Sequence, residues 1–328
     1  MDLNSTLIFL AGLVIIILGA EFVLRGSARL AARLGIKPIV IGLTVVSVGT
    51  SMPELAVGIA SVAEDKGALA VGNIAGTNML NILFILGLSA AIRPLPLQLL
   101  SIRFDVPVMI VSAVGLFLMA LDGKLSRAEG LILTLAAVAY TIALIRISKR
   151  ESAKMRKEFA EEYGQKVLLR EKNSFWSWTG NVVVLIAGLA CCMLGAELLV
   201  AGAVSIAQAL GVSDAVIGLT IVAIGTSAPE LATTIVSTIK NDRDVAVGNL
   251  IGSSISNILF ILGVTCVVAP KGVDVSEDVL WLDLPLAALV AIVCYPVFRS
   301  DRMVSRKEGI AFVTAYLLYL GFLIYRAL

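Results

Sequence analysis

Two short segments of this chain carry a glutamate inside an apolar run. VGTSMPELA spans residues 48–56 and IGTSAPELA spans residues 224–232, so Glu54 and Glu230 occupy the same place in two copies. A carboxylate deep in a membrane costs several kcal/mol unless it is paired, hydrated or neutralised. We therefore predict that the two acids form a functional site. The alternative is that each is protonated and only bonds one helix to another.

Prolines, glycines and hydroxyl residues surround each glutamate. Pro53 and Pro229 lack an amide hydrogen, and with Gly49 and Gly225 they predict a helix that unwinds at the glycine and frees carbonyl oxygens. Such carbonyls at membrane depth need water or a cation. An oxygen-only cluster suits hard cations such as Na⁺ or Ca²⁺. The candidate hydroxyl ligands are Thr50, Ser51, Thr226 and Ser227.

A second repeated segment follows each glutamate. It reads VGNIAGTNMLNILFILG from Val71 and VGNLIGSSISNILFILG from Val247. Polar residues recur in it every four positions and so share one helical face. They are Asn73, Thr77 and Asn81 in the first copy, and Asn249, Ser253 and Asn257 in the second. Hydrogen bonding between helices is one explanation; we predict cation ligation, above all by Asn81 and Asn257.

The composition places these motifs in a membrane protein. The 328 residues are 59% hydrophobic and 15% charged, with a mean hydropathy of +0.97, which is outside the range of ordinary soluble domains. A bilayer core about 30 Å thick needs about 20 apolar residues per helix. Ten such runs lie near residues 5–24, 38–63, 68–92, 105–121, 129–147, 179–209, 214–239, 244–268, 281–298 and 309–326.

The chain is an internal duplication. GAEFVLRG at residue 19 matches GAELLVAG at residue 195, and the offset of 176 persists to Gly87 and Gly263. Five helices per copy make the second copy run upside down relative to the first. We predict an all-α polytopic membrane protein with broken helices at the midplane. Its parts are a first repeat at 1–147 (core about 38–92), a charged linker at 148–178 and a second repeat at 179–328 (core about 214–268).

Charged and reactive residues refine this prediction. The linker is rich in lysine and arginine, so the positive-inside rule makes it cytoplasmic and puts both termini of this multi-pass cell-membrane protein outside. The predicted partners are the lipid bilayer and inorganic cations; neither nucleic acid nor a protein partner is implied. The four cysteines fall in apolar runs and suit buried packing. The absence of histidine excludes Ser-His hydrolases and the usual zinc sites.

GTSMPE and GTSAPE, each followed by a GNxxGxxxxN helix, resemble the two alpha-repeats of the Ca²⁺/cation antiporters, especially the prokaryotic sodium/calcium exchangers. The resemblance implies ten helices, with two gate helices sliding against a core of eight, and Ca²⁺ as transported substrate without an organic cofactor. Glu54 and Glu230 would coordinate Ca²⁺, while Asn81 and Asn257 would occupy equatorial positions. The implied ligands for flanking monovalent ions are Thr50, Ser51, Thr77, Thr226, Ser227 and Ser253.

Position 257 departs from that family's pattern. Sodium-coupled relatives typically carry aspartate there, whereas this chain carries Asn257 and so has two acids in place of three. Two glutamates are balanced by one Ca²⁺, two protons or two Na⁺, but three Na⁺ would leave an excess positive charge. Burial disfavours the charged form of a carboxylic acid, so protons can serve without histidine. We favour Ca²⁺/H⁺ exchange, with Na⁺/Ca²⁺ exchange as the alternative.

Two other classes of function fit less well. A cation channel also needs oxygen ligands, but it has no need of inverted halves that each contain a broken helix, whereas alternating access does. An intramembrane enzyme could use the two glutamates as an acid pair. The glycine-rich and hydroxyl-rich surroundings argue against that chemistry, so we predict a transporter and not an enzyme.

Overall fold

The computed structural model describes residues 3–34, 36–163, 175–212, 217, 220–221 and 223–327, most of them in helices. We number the helices α1 (Leu3–Leu34), α2 (Pro38–Thr50), α3 (Met52–Ala63), α4 (Gly67–Ile92), α5 (Ser101–Asp122), α6 (Arg127–Tyr163), α7 (Phe175–Ala209), α8 (Ala223–Thr226), α9 (Ala228–Ile239), α10 (Arg243–Val268), α11 (Val279–Ser300) and α12 (Arg306–Ala327).

The prediction of an all-helical protein of about ten spans is confirmed. In the described part of the chain, eight helices are long and apolar enough to cross a membrane, and the bent pair α2 and α3 makes a ninth. The predicted span at 214–239 includes residues outside the described ranges, and its described part is α8 and α9. The predicted linker at 148–178 likewise contains residues 164–174, which lie outside those ranges.

Helices α4 and α10 form the centre of the bundle. In the most apolar part of each, 78% of the residues are buried, against 17–39% in the other spanning helices. Glycines permit this close packing. A Cβ at Gly248 of α10 would lie 2.7 Å from the carbonyl oxygen of Ile39 in α2, and one at Gly252 would lie equally close to the Leu43 backbone. The glycine side of α10 is therefore held directly against α2, the helix that leads to Glu54.

The two long apolar helices α1 and α7 pack antiparallel with their backbones in contact. A Cβ at Gly195 would lie 2.5 Å from the backbone nitrogen of Ile16, and Gly12 faces Leu199 in the same way. Such an approach leaves room only for glycine. The glycines at this interface recur every seven residues along each helix: Gly12, Gly19, Gly26, Gly188, Gly195 and Gly202.

Two short antiparallel strand pairs connect the copies at opposite ends of α5. Strand β1 (Leu95–Pro96) pairs with β4 (Met303–Val304), and β2 (Lys124–Leu125) pairs with β3 (Val273–Asp274). Each pair joins a segment before or after α5 to a segment of the other copy. The loops at the two ends are therefore cross-connected, which holds the copies in fixed register.

The broken helices differ in one respect from expectation. Ser51 (φ −86°, ψ 11°) separates α2 from α3, which meet at 41°, and Ser227 (φ −91°, ψ 11°) separates α8 from α9. Gly49 and Gly225 are themselves helical, so the prediction that the backbone unwinds at the glycines was wrong. A Cβ at Gly49 would lie 2.5 Å from a side-chain methyl of Leu189 in α7. A side chain at this position would therefore have to displace the Leu189 side chain.

Candidate cation-binding site

Both glutamates lie at the beginning of a half-helix. Glu54 is in the first turn of α3 and Glu230 in the first turn of α9, each directly after a proline near the helix start. A proline costs no hydrogen bond there, since the first amides of a helix have no intrahelical partner. The same free amides and the helix dipole stabilise negative charge. The interruption at each serine therefore creates a favourable place for a carboxylate within the bundle.

The carboxylates are held crosswise by serines of the other copy. The Ser51 hydroxyl donates a hydrogen bond to Glu230 Oε1 at 3.0 Å, and the Ser227 hydroxyl donates to Glu54 Oε1 at 3.3 Å. All four side chains are fully buried. Each glutamate keeps its Oε2 without a hydrogen-bond partner among the described residues. Two buried carboxylate oxygens are thus available to a cation or to protons.

The two predicted amide ligands lie in π-helical turns of the central helices. Asn81 falls in the π-helical turn Leu80–Leu86 of α4, and Asn257 begins the turn Asn257–Leu262 of α10. Such turns are common at functional sites because they redirect one side chain out of the regular helical register. Both residues are fully buried. Asn81 has no partner for either amide atom within the described residues, nor has Asn257 for its Oδ1.

The predicted hydroxyl residues have different surroundings. The Thr50 hydroxyl lies 3.2 Å from Asn249 Oδ1, to which it donates, and the Ser253 hydroxyl is buried with no partner in the described chain. Thr77 is also buried, whereas Thr226 is half-buried. A hydroxyl that donates its proton still has lone pairs for a cation. The structure therefore places nine of the ten predicted ligands in the buried interior, and Thr226 at its margin.

Three further polar residues support this cluster, and sequence analysis had not singled them out. Asn78 accepts a hydrogen bond from Asn257 Nδ2 at 3.1 Å. Asn249 Nδ2 donates hydrogen bonds to the hydroxyl oxygens of Thr233, at 2.9 Å, and Thr234, at 3.4 Å. Spacing offered a signal, since Asn78 lies three residues before Asn81, and Thr233 and Thr234 lie one turn after Glu230.

The cluster can do one kind of chemistry. Within the described chain, no group of three or more carboxylate, imidazole or thiolate side chains converges, so its acids are the two glutamates. All its candidate ligand atoms are oxygens, which suits hard cations over soft metals. Two like charges in a low-dielectric interior repel each other. A divalent cation or two monovalent cations would neutralise them.

Comparison with known proteins identifies relatives that include an antiporter and a sodium/calcium exchanger. The family described as "Sodium/calcium exchanger protein" matches residues 4–146 and 180–325. The putative antiporter CaxA of Alkalimonas amylolytica is 35% identical, with 97% of this chain and 98% of the relative aligned. The sodium/calcium exchanger MaX1 of Methanosarcina acetivorans is 30% identical over 97% of this chain and 98% of its own.

A solved structure shares the whole fold. The sodium-calcium exchanger NCX_Mj, soaked with zero Na⁺ and Ca²⁺, superposes with a TM-score of 0.82 at 27% identity, and covers 98% of this chain and 100% of that one. The family match includes both segments that carry the glutamates and the asparagines. The chain therefore belongs to the sodium/calcium exchanger family of membrane ion transporters.

Proposed function

We propose that this chain exports Ca²⁺ in exchange for a monovalent cation, with H⁺ favoured as the counter-ion and Na⁺ as the alternative. The observation that carries the proposal is the pair of buried glutamates, each bonded by a serine of the opposite repeat and each with one oxygen that has no hydrogen-bond partner among the described residues. The names of the relatives, an antiporter and sodium/calcium exchangers, support Ca²⁺ and exchange. They do not discriminate between the two counter-ions.

Charge balance favours two monovalent ions per Ca²⁺. The two carboxylates carry two negative charges, and Asn257 adds none. One Ca²⁺, two protons or two Na⁺ each make the buried cluster neutral, while a load whose charge differs from +2 leaves net charge in a low-dielectric interior. The same acids thus hold either Ca²⁺ or its counter-ions, never both. Alternation between these neutral loaded forms couples the two fluxes.

The gate assigned by family resemblance corresponds to α1 and α7. These helices pack closely against each other through glycines, so they can move together as one pair along the rest of the bundle. Such a movement would expose the cluster first to one side and then to the other, as in inverted-repeat transporters.

We infer the orientation from basic residues. The end of the bundle with the β1 and β4 strand pair carries Lys37, Arg93, Arg299 and Arg302, so the positive-inside rule makes it cytoplasmic. Both termini then lie outside. A peptide tag fused to the N-terminus should react with antibody in intact spheroplasts; reaction only after lysis would reverse this orientation.

Purified protein in liposomes tests the counter-ion. Vesicles with an acidic lumen and no Na⁺ should take up radioactive Ca²⁺ from an alkaline, Na⁺-free medium. Vesicles loaded with Na⁺ at equal pH test the alternative in the same way. Because two monovalent ions match the charge of Ca²⁺, we expect an imposed membrane potential to leave the uptake unchanged.

The possible results separate the candidate functions. Uptake driven only by the pH gradient supports Ca²⁺/H⁺ exchange, and uptake driven only by Na⁺ replaces it with Na⁺/Ca²⁺ exchange. Ca²⁺ entry that needs neither gradient would indicate a channel and overturn the proposal. Protein-free vesicles measure the background leak.

A further inference from the structure

Asn78 connects the two central helices at the candidate site. It lies on α4 and is 8% exposed. Its Nδ2 donates a hydrogen bond to the backbone carbonyl of Ser254 at 3.1 Å, and its Oδ1 accepts one from Asn257 Nδ2 at 3.1 Å. Both partners belong to α10. The single amide group of Asn78 is therefore hydrogen-bonded to the backbone of α10 on one side and to a candidate ligand on the other.

The backbone carbonyl determines how all three groups are oriented. A carbonyl oxygen can only accept, so the Asn78 amide must turn its nitrogen to Ser254 and its oxygen to Asn257. Asn257 must then donate through Nδ2, which leaves its Oδ1 as the free atom. That Oδ1 is buried and has no partner among the described residues. Asn257 is thus oriented so that its neutral Oδ1 is the atom available to a cation.

We propose that Asn78 is a positioning and specificity-determining residue, which orients Asn257 as an oxygen ligand and opposes a carboxylate at position 257. An ionised aspartate there would have no hydrogen to donate, so a carboxylate oxygen would face Asn78 Oδ1. Turning the Asn78 amide round would only set its oxygen against the Ser254 carbonyl. An unfavourable oxygen contact therefore persists either way, at a buried position where such contacts are costly.

The other repeat lacks this restraint. Asn81 is the counterpart of Asn257, and both of its amide atoms are buried without a partner in the described chain. The counterpart of Asn78 is Ser254, whose hydroxyl donates to the Leu250 carbonyl at 3.0 Å. Asn81 is therefore free to turn where Asn257 is held. The inference rests on the proposed function, because a restrained ligand matters only if the cluster binds cations.

A double-mutant cycle tests the inference. The four proteins are the wild type, Asn78→Ser, Asn257→Asp and the double variant, and Ca²⁺ affinity is measured by equilibrium binding of radioactive Ca²⁺ at one fixed pH. Serine is the residue that the second repeat carries at this place, and a hydroxyl can donate to a carboxylate.

In the wild-type background, we expect Asn78→Ser to weaken binding about threefold, the effect of one lost neutral hydrogen bond. In the Asn257→Asp background, the same change should strengthen binding about tenfold, since a charged hydrogen bond replaces a repulsive contact.

The opposite signs distinguish positioning from packing. If Asn78 only filled space, Asn78→Ser would change the affinity in the same direction in both backgrounds, and that result would overturn the inference. Asn81→Asp is the matched control. Asn81 is the counterpart of Asn257, and the residue that corresponds to Asn78 in the other repeat is already a serine, Ser254. The Asn81→Asp variant should bind Ca²⁺ more tightly than Asn257→Asp without a second substitution.

A readout independent of Ca²⁺ keeps the inference separate from the proposed function. The midpoint of thermal unfolding in excess chelator should fall in Asn257→Asp and recover partly in the double variant. If the wild type binds no Ca²⁺, the proposed function fails while this comparison still decides the role of Asn78. Equal unfolding midpoints in Asn257→Asp and the double variant would contradict the proposed role of Asn78.

Discussion

Replacing Glu54 or Glu230 with glutamine is expected to abolish Ca²⁺ exchange. Glutamine has nearly the same shape and can still accept the hydrogen bond from Ser227 or Ser51, so the packing of the cluster should survive. What is lost is one of two negative charges in a buried site. Removing one partner of a buried charge pair costs about 3–5 kcal/mol, which corresponds to roughly two to four orders of magnitude in affinity.

The two substitutions should have similar effects because the two glutamates have equivalent crosswise surroundings. The measurement is the initial rate of radioactive Ca²⁺ uptake into liposomes at several Ca²⁺ concentrations. Glu64→Gln is a suitable control, since Glu64 is exposed and its only ion pair in the described chain is with the neighbouring Lys66. Wild-type uptake by both buried variants would show that cations bind elsewhere.

A leucine at Gly195 is expected to have the second largest effect. Its Cβ would lie 2.5 Å from the backbone nitrogen of Ile16 and 2.8 Å from the Ile16 Cα. Backbone atoms cannot move aside as a side chain does, so α1 and α7 must separate along their interface. Overpacking of this kind costs about 1–3 kcal/mol or more. We expect a lower midpoint of thermal unfolding and loss of exchange.

The same substitution at an open position provides the control. A Cβ at Gly115 in α5 would meet no described atom within 4 Å, so Gly115→Leu should change neither the unfolding midpoint nor the exchange rate appreciably. If Gly195→Leu unfolds and exchanges like the wild type, the close contact of α1 with α7 is not needed for transport. A smaller Gly195→Ala change should give an intermediate effect, since it adds only the Cβ.

Sequence patterns predicted most of the fold for a simple physical reason. Hydrophobic length and internal repetition are properties of the chain itself, and a bilayer restricts apolar segments of about 20 residues to helices. The offset between Glu54 and Glu230 therefore predicted two equivalent half-sites. The bend was predicted less well, because a proline removes a hydrogen bond but does not decide which residue before it leaves the helix. Gly49 stays helical beside Leu189 of α7, and the interruption falls on Ser51.

Sequence alone thus determined the membrane class, the duplication, and Glu54 and Glu230 as the acids on which a site would depend. Only the tertiary structure decided which groups meet across the repeats: the crosswise serine bonds, and the contact of Asn78 with Asn257. Contacts between residues about 180 positions apart depend on how helices cross, and no local periodicity encodes that. The orientation of the Asn257 amide is likewise not encoded locally. It follows from the backbone carbonyl of Ser254, a group that every residue type carries.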